Sequence, residues 1–122
     1  MILDSEIQLL NMADYRKYYQ VRSFVLGLDR LHQLAAMGNT TALCIWCDVR
    51  QAVDQTELTD MQRLVLYLLR DEQRTVMEIS AIIDRDPGTV SDHLKGAILR
   101  IQHTLLYGKL WGDQKFERSM ER

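Results

Sequence analysis

Along most of the chain apolar residues recur at three- and four-residue steps, a spacing that predicts five or six helices and no strand. Asp4 or Ser5 caps a short first helix that holds Ile7, Leu9 and Leu10. From about Asp14 to Met37, the residues Tyr18, Val21, Val25, Leu28, Leu31 and Ala35 form one stripe, which predicts a single long helix. Gly38-Asn39 is a stop signal, and Thr40 or Thr41 restarts a helix through Leu43, Trp46, Val49, Ala52 and Val53. The chain contains no internal repeat, low-complexity tract or linker.

The central segment has the strongest local signals. Thr59-Asp60-Met61-Gln62 is a capping box, in which a threonine hydroxyl and a side chain three residues on satisfy each other's backbone N–H. The helix behind it holds Val65, Leu66 and Leu69. Asp71 to Arg74 is a polar break, and Thr75-Val76-Met77-Glu78 is a second capping box. The helix it opens presents Val76, Ile79 and Ile83, with small Ser80 between them. A turn, Asp84-Arg85, leads to Asp86-Pro87, an N-cap followed by a proline at the first helical position. The third helix buries Val90, Leu94, Ala97 and Ile101. Three capped helices joined by short turns are the layout of a helix-turn-helix, in which one helix props a second at a steep angle. Ser80 falls where those two helices cross, and a leucine there would push the second away.

Composition agrees with an all-α chain. Leucine occurs 18 times and valine 7, and six glycines with one proline are few breakers for 122 residues. No apolar run approaches the length of a membrane span. Two cysteines, and a start (Met1-Ile2-Leu3-Asp4) without a basic, apolar leader, predict a reducing cytoplasm and no disulfide. The net charge is −2, far from the strongly basic balance of domains that grip nucleic acid by charge alone.

The stretch from Leu58 to Ile101 resembles region 4 of sigma-70 family factors. The matching pieces are Leu58-Thr59, Val65-Leu66, Glu78-Ile79-Ser80 and Pro87-Gly88-Thr89-Val90. The same stretch is similar to LuxR-type helix-turn-helices, to which Thr89-Val90 and His93-Leu94 lean. The sigma-region-4 resemblance, with a preceding helix like Ala42 to Gln55, implies a small phage-type transcription regulator. It implies double-stranded DNA as a partner, and RNA polymerase as a second one docked through an apolar groove. The chain has no length for a sigma region 2, so it is expected to regulate transcription or to be half of a split factor.

On a helix beginning at Pro87 the outward positions are Gly88, Thr89, Ser91, Asp92, Lys95 and Gly96. Gly88, Thr89, Ser91, Asp92 and Lys95 are the candidate groove-reading residues, with Asp92 placed to accept from a cytosine amine. Arg74, Thr75, Arg85 and Lys95 are the candidate phosphate contacts, helped by the N–H groups at the two helix starts. Glu57 to Leu106 holds six Lys/Arg and eight Asp/Glu. Phosphate contacts supply most non-specific affinity, so this segment alone is expected to hold DNA weakly. Docking on polymerase or forming a homodimer would remedy that. A rival reading is a protein-interaction module that binds RNA polymerase or a sigma factor with little DNA contact.

Other candidates read blandly. Cys44-Ile45-Trp46-Cys47 lacks the further ligands of a zinc site and the βαβ context of a redox site, so its cysteines read as small core residues. Tyr15 to Arg22 interleaves aromatic and basic side chains. It reads first as one helical turn with Tyr18 inward and Arg16, Lys17 and Arg22 solvated. A base-stacking or phosphate-lying surface and a dimer interface through Tyr15 and Tyr19 are its alternatives. His93 reads as packed or capping. No catalytic constellation has usable spacing, so neither an enzyme nor a cofactor, metal or small-molecule substrate is expected. Tyr107 to Trp111 extends the last helix or packs back, with Trp111 against the N-terminal helices, and Gly112 to Arg122 is expected as a solvated tail. The expected organisation is all-α. A helical segment, 1–56, is followed by a three-helix helix-turn-helix domain, 57–106, and a tail, 107–122.

Overall fold

The computed structural model of the chain describes residues 4–108, and every regular element among them is a helix. In chain order these are α1 (Asp4–Asn11), α2 (Tyr18–Leu26), α3 (Leu28–Ala36), α4 (Thr40–Gln55), α5 (Asp60–Arg70), α6 (Val76–Ile83) and α7 (Pro87–Tyr107). Trp111 and the segment from Gly112 lie outside the described residues.

The long helix expected from Asp14 to Met37 is two helices, α2 and α3, and it starts later. Its stripe holds, because Val21, Val25, Leu28 and Leu31 are all buried. The break falls at Gly27, whose N–H donates to the Ser23 carbonyl at 2.9 Å. A Cβ there would stand 2.8 Å from that same carbonyl oxygen, so the close turn admits only glycine. Upstream, the Asp14 carboxylate accepts from the Arg16 backbone N–H and its guanidinium at 3.0 Å, a local turn that competes with helix until Tyr18.

Gly38 (φ +98°) follows α3 in a conformation suited to glycine, and the Asn39 side chain accepts from the Ala42 N–H at 2.9 Å. Asn39 therefore caps α4, which starts at Thr40 as the sequence predicts. The buried face of α4 is Ala42, Ile45, Val49 and Ala52. Leu43 is exposed instead, and Trp46 is half-buried, with its ring 5.0 Å from His32 and 5.2 Å from the Arg50 guanidinium.

Helix α3 packs along α4, while α2, α4, α5 and α6 all pack against α7. One core runs from Leu10 of α1 through Val25, Leu31, Val49, Val65 and Ile79 to Val90, Leu94, Ile98 and Ile101 of α7. Each such aliphatic side chain contributes about 1.5–3 kcal/mol on burial. Polar ties reinforce it. The buried Thr56 hydroxyl donates to the Ala52 carbonyl at 2.5 Å and lies 2.7 Å from the Thr104 hydroxyl. The Gln102 amide donates to the Tyr15 carbonyl at 2.9 Å, and Arg100 donates to the Glu57 carbonyl at 3.0 Å. The Tyr15 hydroxyl in turn donates to Asp48 of α4 at 2.8 Å. The chain ahead of Leu58 thus buries itself against α7. Helix α7 ends at Tyr107, where Gly108 (φ +79°) donates its N–H to the Thr104 carbonyl at 2.7 Å.

Candidate nucleic-acid interface

Helices α5, α6 and α7 are set by local chemistry legible in the sequence. In the first capping box the Gln62 N–H donates to the Thr59 hydroxyl, and the Thr59 N–H to the Gln62 side chain, both at 3.1 Å. In the second, the Glu78 N–H donates to the Thr75 hydroxyl at 3.1 Å and the Thr75 N–H to the Glu78 carboxylate at 3.0 Å. Between them the polar break is a closed turn. Gln73 takes a left-handed conformation (φ 52°), and the Arg74 N–H reaches back to the Leu68 carbonyl at 2.9 Å.

The α6–α7 turn is fastened in two directions. Asp84 is left-handed (φ 55°), the Arg85 N–H donates to the Ser80 carbonyl at 3.1 Å, and the Ser80 hydroxyl donates to the Arg85 carbonyl at 2.5 Å. Ser80 is therefore more than a small residue at a crossing, because its hydroxyl pins the turn. Asp86 is extended and precedes Pro87, as the sequence predicts. Its carboxylate accepts from the Thr89 hydroxyl instead of from a first-turn backbone N–H. That hydrogen bond holds the Asp86 carboxyl below its ordinary value.

The buried stripe of α7 is Val90, Leu94, Ala97, Ile98 and Ile101. It leaves Gly88, Ser91, Asp92 and Lys95 exposed together on the opposite side. The other candidates are placed differently. Thr89 is half-buried, and its hydroxyl is engaged with Asp86. Gly96 does not face outward, because a Cβ on it would stand 2.6 Å from the Gln62 side-chain nitrogen of α5. Arg85 is exposed and donates to the Asp84 carbonyl at 3.2 Å. Arg74 lies between Glu72, at 3.4 Å, and Glu78, at 3.7 Å, and the Thr75 hydroxyl is taken up by its cap. The Thr75 N–H, and after it Arg74, keep the Glu78 carboxylate below its ordinary pKa, so a negative charge already stands at the start of α6.

Sequence reasoning did not place α2 beside this face. An open groove of about 570 Å3 lies between the two helices, lined by Tyr19 and Arg22 of α2, Val76 of α6, and Ser91, Asp92 and Lys95 of α7. Helix α2 flanks the exposed side of α7 without covering it. The interleaved aromatic and basic residues of 15–22 were the available signal. Tyr18 turns inward, where burial raises its hydroxyl pKa, as the bland reading of that stretch expects, and Tyr19 stays 78% exposed.

The cysteines depart from expectation. Cys44 and Cys47 are free and exposed, not core, because the inward face of α4 is taken by Ala42 and Ile45. Among the described residues no group of three or more His, Cys, Asp or Glu stands together as a metal site. His93 is half-buried, and His103 lies 4.8 Å from the Tyr107 ring.

Residues 60–96, from the start of α5 to the middle of α7, match the family model of bacterial regulatory proteins of the arsR family. No curated protein and no solved structure matches the chain. Fold and match together support the class of helix-turn-helix, DNA-binding transcription regulators. Within that class the family model that matches is the arsR one. It is neither sigma-70 region 4 nor the LuxR type, the two families that the residue pattern of Leu58 to Ile101 resembles. No helix among the described residues is long and apolar enough to cross a membrane.

Proposed function

We propose that this chain is a cytoplasmic, non-enzymatic regulator that reads a short duplex element with the start of α7 in the major groove. Gly88, Ser91, Asp92 and Lys95 face the bases, with Thr89 holding the helix start. Arg85, with Arg74 and Thr75 at the start of α6, meets phosphates. Residues 1–56 act as a helical buttress, and 57–106 form the reading unit. The observation that supports this most directly is the exposed side of α7 on a helix fixed by the Ser80–Arg85 turn. Binding of the intact protein to a random duplex library in low salt, read by electrophoretic shift, tests it. Enrichment of a sequence family is expected, and no binding to any duplex would overturn it.

A second reading follows from exposed apolar side chains on the reading unit itself. Leu64 and Tyr67 of α5 and Met77 and Ile82 of α6 are all exposed on an acidic segment. Such a surface suits RNA polymerase or a sigma factor, in line with the sigma-region-4 resemblance. Co-purification with polymerase, and its loss in Tyr67→Ala with DNA binding intact, would support this reading over the first.

A further inference from the structure

We infer that α2 is a second DNA-gripping element, whose Arg22 and Tyr19 bind the sugar–phosphate backbone beside the groove that α7 enters. The inference rests on the reading of α7 given above and adds to it a cation from outside the acidic segment 57–106.

Glu57 to Leu106 is acidic, yet residues 15–22 hold Arg16, Lys17 and Arg22 with no Asp or Glu. The two arginines differ in how they are held. Arg16 is clasped by Asp14 at 3.0 Å. Arg22 makes no ion pair with any described residue and is half-buried in the groove, where Lys95 is the facing cation and Asp92 the facing acid. Arg74, at the start of α6, has its charge offset by Glu72 and Glu78. A half-buried guanidinium without a carboxylate partner suits an anion from outside the chain, and a phosphate offers it bidentate acceptors.

The Tyr15 carbonyl accepts from Gln102 near the end of α7, while Arg22 shares its groove with Ser91 and Asp92 near the start. Helix α2 therefore runs antiparallel to α7, and Arg22 stands towards the reading end of the rod. The groove is continuous with the exposed side of α7 through Ser91 and Lys95. A duplex that receives that side in its major groove presents one of its two flanking backbones to the α2 rim. Tyr19, 78% exposed on that rim, adds a phenol of the kind that donates to phosphate oxygens.

Anisotropy titration of a duplex selected by the intact protein, from about 50 to 200 mM salt, tests the inference. Arg22→Ala is expected to weaken binding about tenfold on every sequence, and to lower the slope of log affinity against log salt by about 0.9. Arg22→Lys should keep the slope, and Tyr19→Ala, at a surface residue, should weaken binding severalfold with an unchanged melting curve. Wild-type affinity and slope in both Arg22→Ala and Tyr19→Ala, with binding lost in Lys95→Ala, would overturn this inference and leave the reading of α7 standing. Failure of the wild type to bind any duplex would overturn both. Intact DNA binding in Arg22→Ala with loss of polymerase co-purification would assign the groove to a protein and overturn it as well.

Discussion

Gly96 of α7 stands so close to Gln62 of α5 that an added Cβ would lie 2.6 Å from the Gln62 side-chain nitrogen. Gln62 is also the residue whose side-chain oxygen accepts the Thr59 N–H and closes the cap of α5. The contact between α5 and α7 therefore passes through a capping residue.

A mutant cycle follows. Gly96→Ala gains about 1 kcal/mol of helix propensity, but the new methyl group displaces the Gln62 cap, worth a similar amount, so the single variant should be near neutral. In a Gln62→Ala background the same change should stabilise by about 1 kcal/mol. Urea unfolding of the four proteins reads the coupling, and strictly additive effects would refute the contact.

Asp84 offers a simpler gain. An aspartate in a left-handed conformation (φ 55°) gives up stability that glycine would keep, so Asp84→Gly should stabilise by up to about 1 kcal/mol. Ser80→Ala should have the opposite sign and cost about 1 kcal/mol by releasing the Arg85 carbonyl. Thermal melts check both.

On the exposed side of α7, Asp92 and Lys95 should act in opposite directions. Asp92→Asn removes repulsion and should raise affinity for unrelated duplexes more than for the selected one, which relaxes specificity. Lys95→Gln should lower affinity on all sequences and reduce the salt slope by about 0.9. Equal responses of selected and unrelated duplexes to Asp92→Asn would remove that residue from base reading.

Acid should loosen the fold in two stages. Burial holds the His103 imidazole below its ordinary 6.5, so the unfolded chain binds that proton first, and stability begins to fall as pH drops below 6.5. Glu78 (ordinarily 4.5), Asp14 and Asp86 (ordinarily 3.8) are held low by hydrogen bonds to Thr75, Arg16 and Thr89 respectively. Their contribution is complete above those ordinary values and is lost as pH falls through the lower folded ones. Urea midpoints measured from about pH 7.5 down to about pH 2 should show both stages. His103→Gln should flatten the first and Glu78→Gln part of the second.

What the sequence disclosed about this fold was local. Thr59 with Gln62, Thr75 with Glu78, and Asp86 with Pro87 lie within four residues of each other, and each starts a helix where expected. The misjudged features depend on distant chain. The stripe from Tyr18 to Ala35 continues through Gly27 unbroken, so only the close approach of the Ser23 carbonyl reveals two helices. Cys44, Cys47 and Leu43 are apolar enough for a core, and their exposure follows from which side of α4 meets α3 and α7. Of the candidate site, the exposed group of Ser91, Asp92 and Lys95 followed from periodicity on α7. Thr75 and Arg74 are already engaged by their own neighbours, Gly96 is turned to α5, and Arg22 is brought alongside only by tertiary packing.

Helix α7 runs unbroken for 21 residues, so it is a rod about 30 Å long. At its start one side is exposed while Val90 and the Ser80–Arg85 turn hold the other, and its far end is clamped by Thr56, Tyr15 and the α4 face. A beam tied at both ends to different parts of the chain holds its exposed start at a fixed angle to the N-terminal helices.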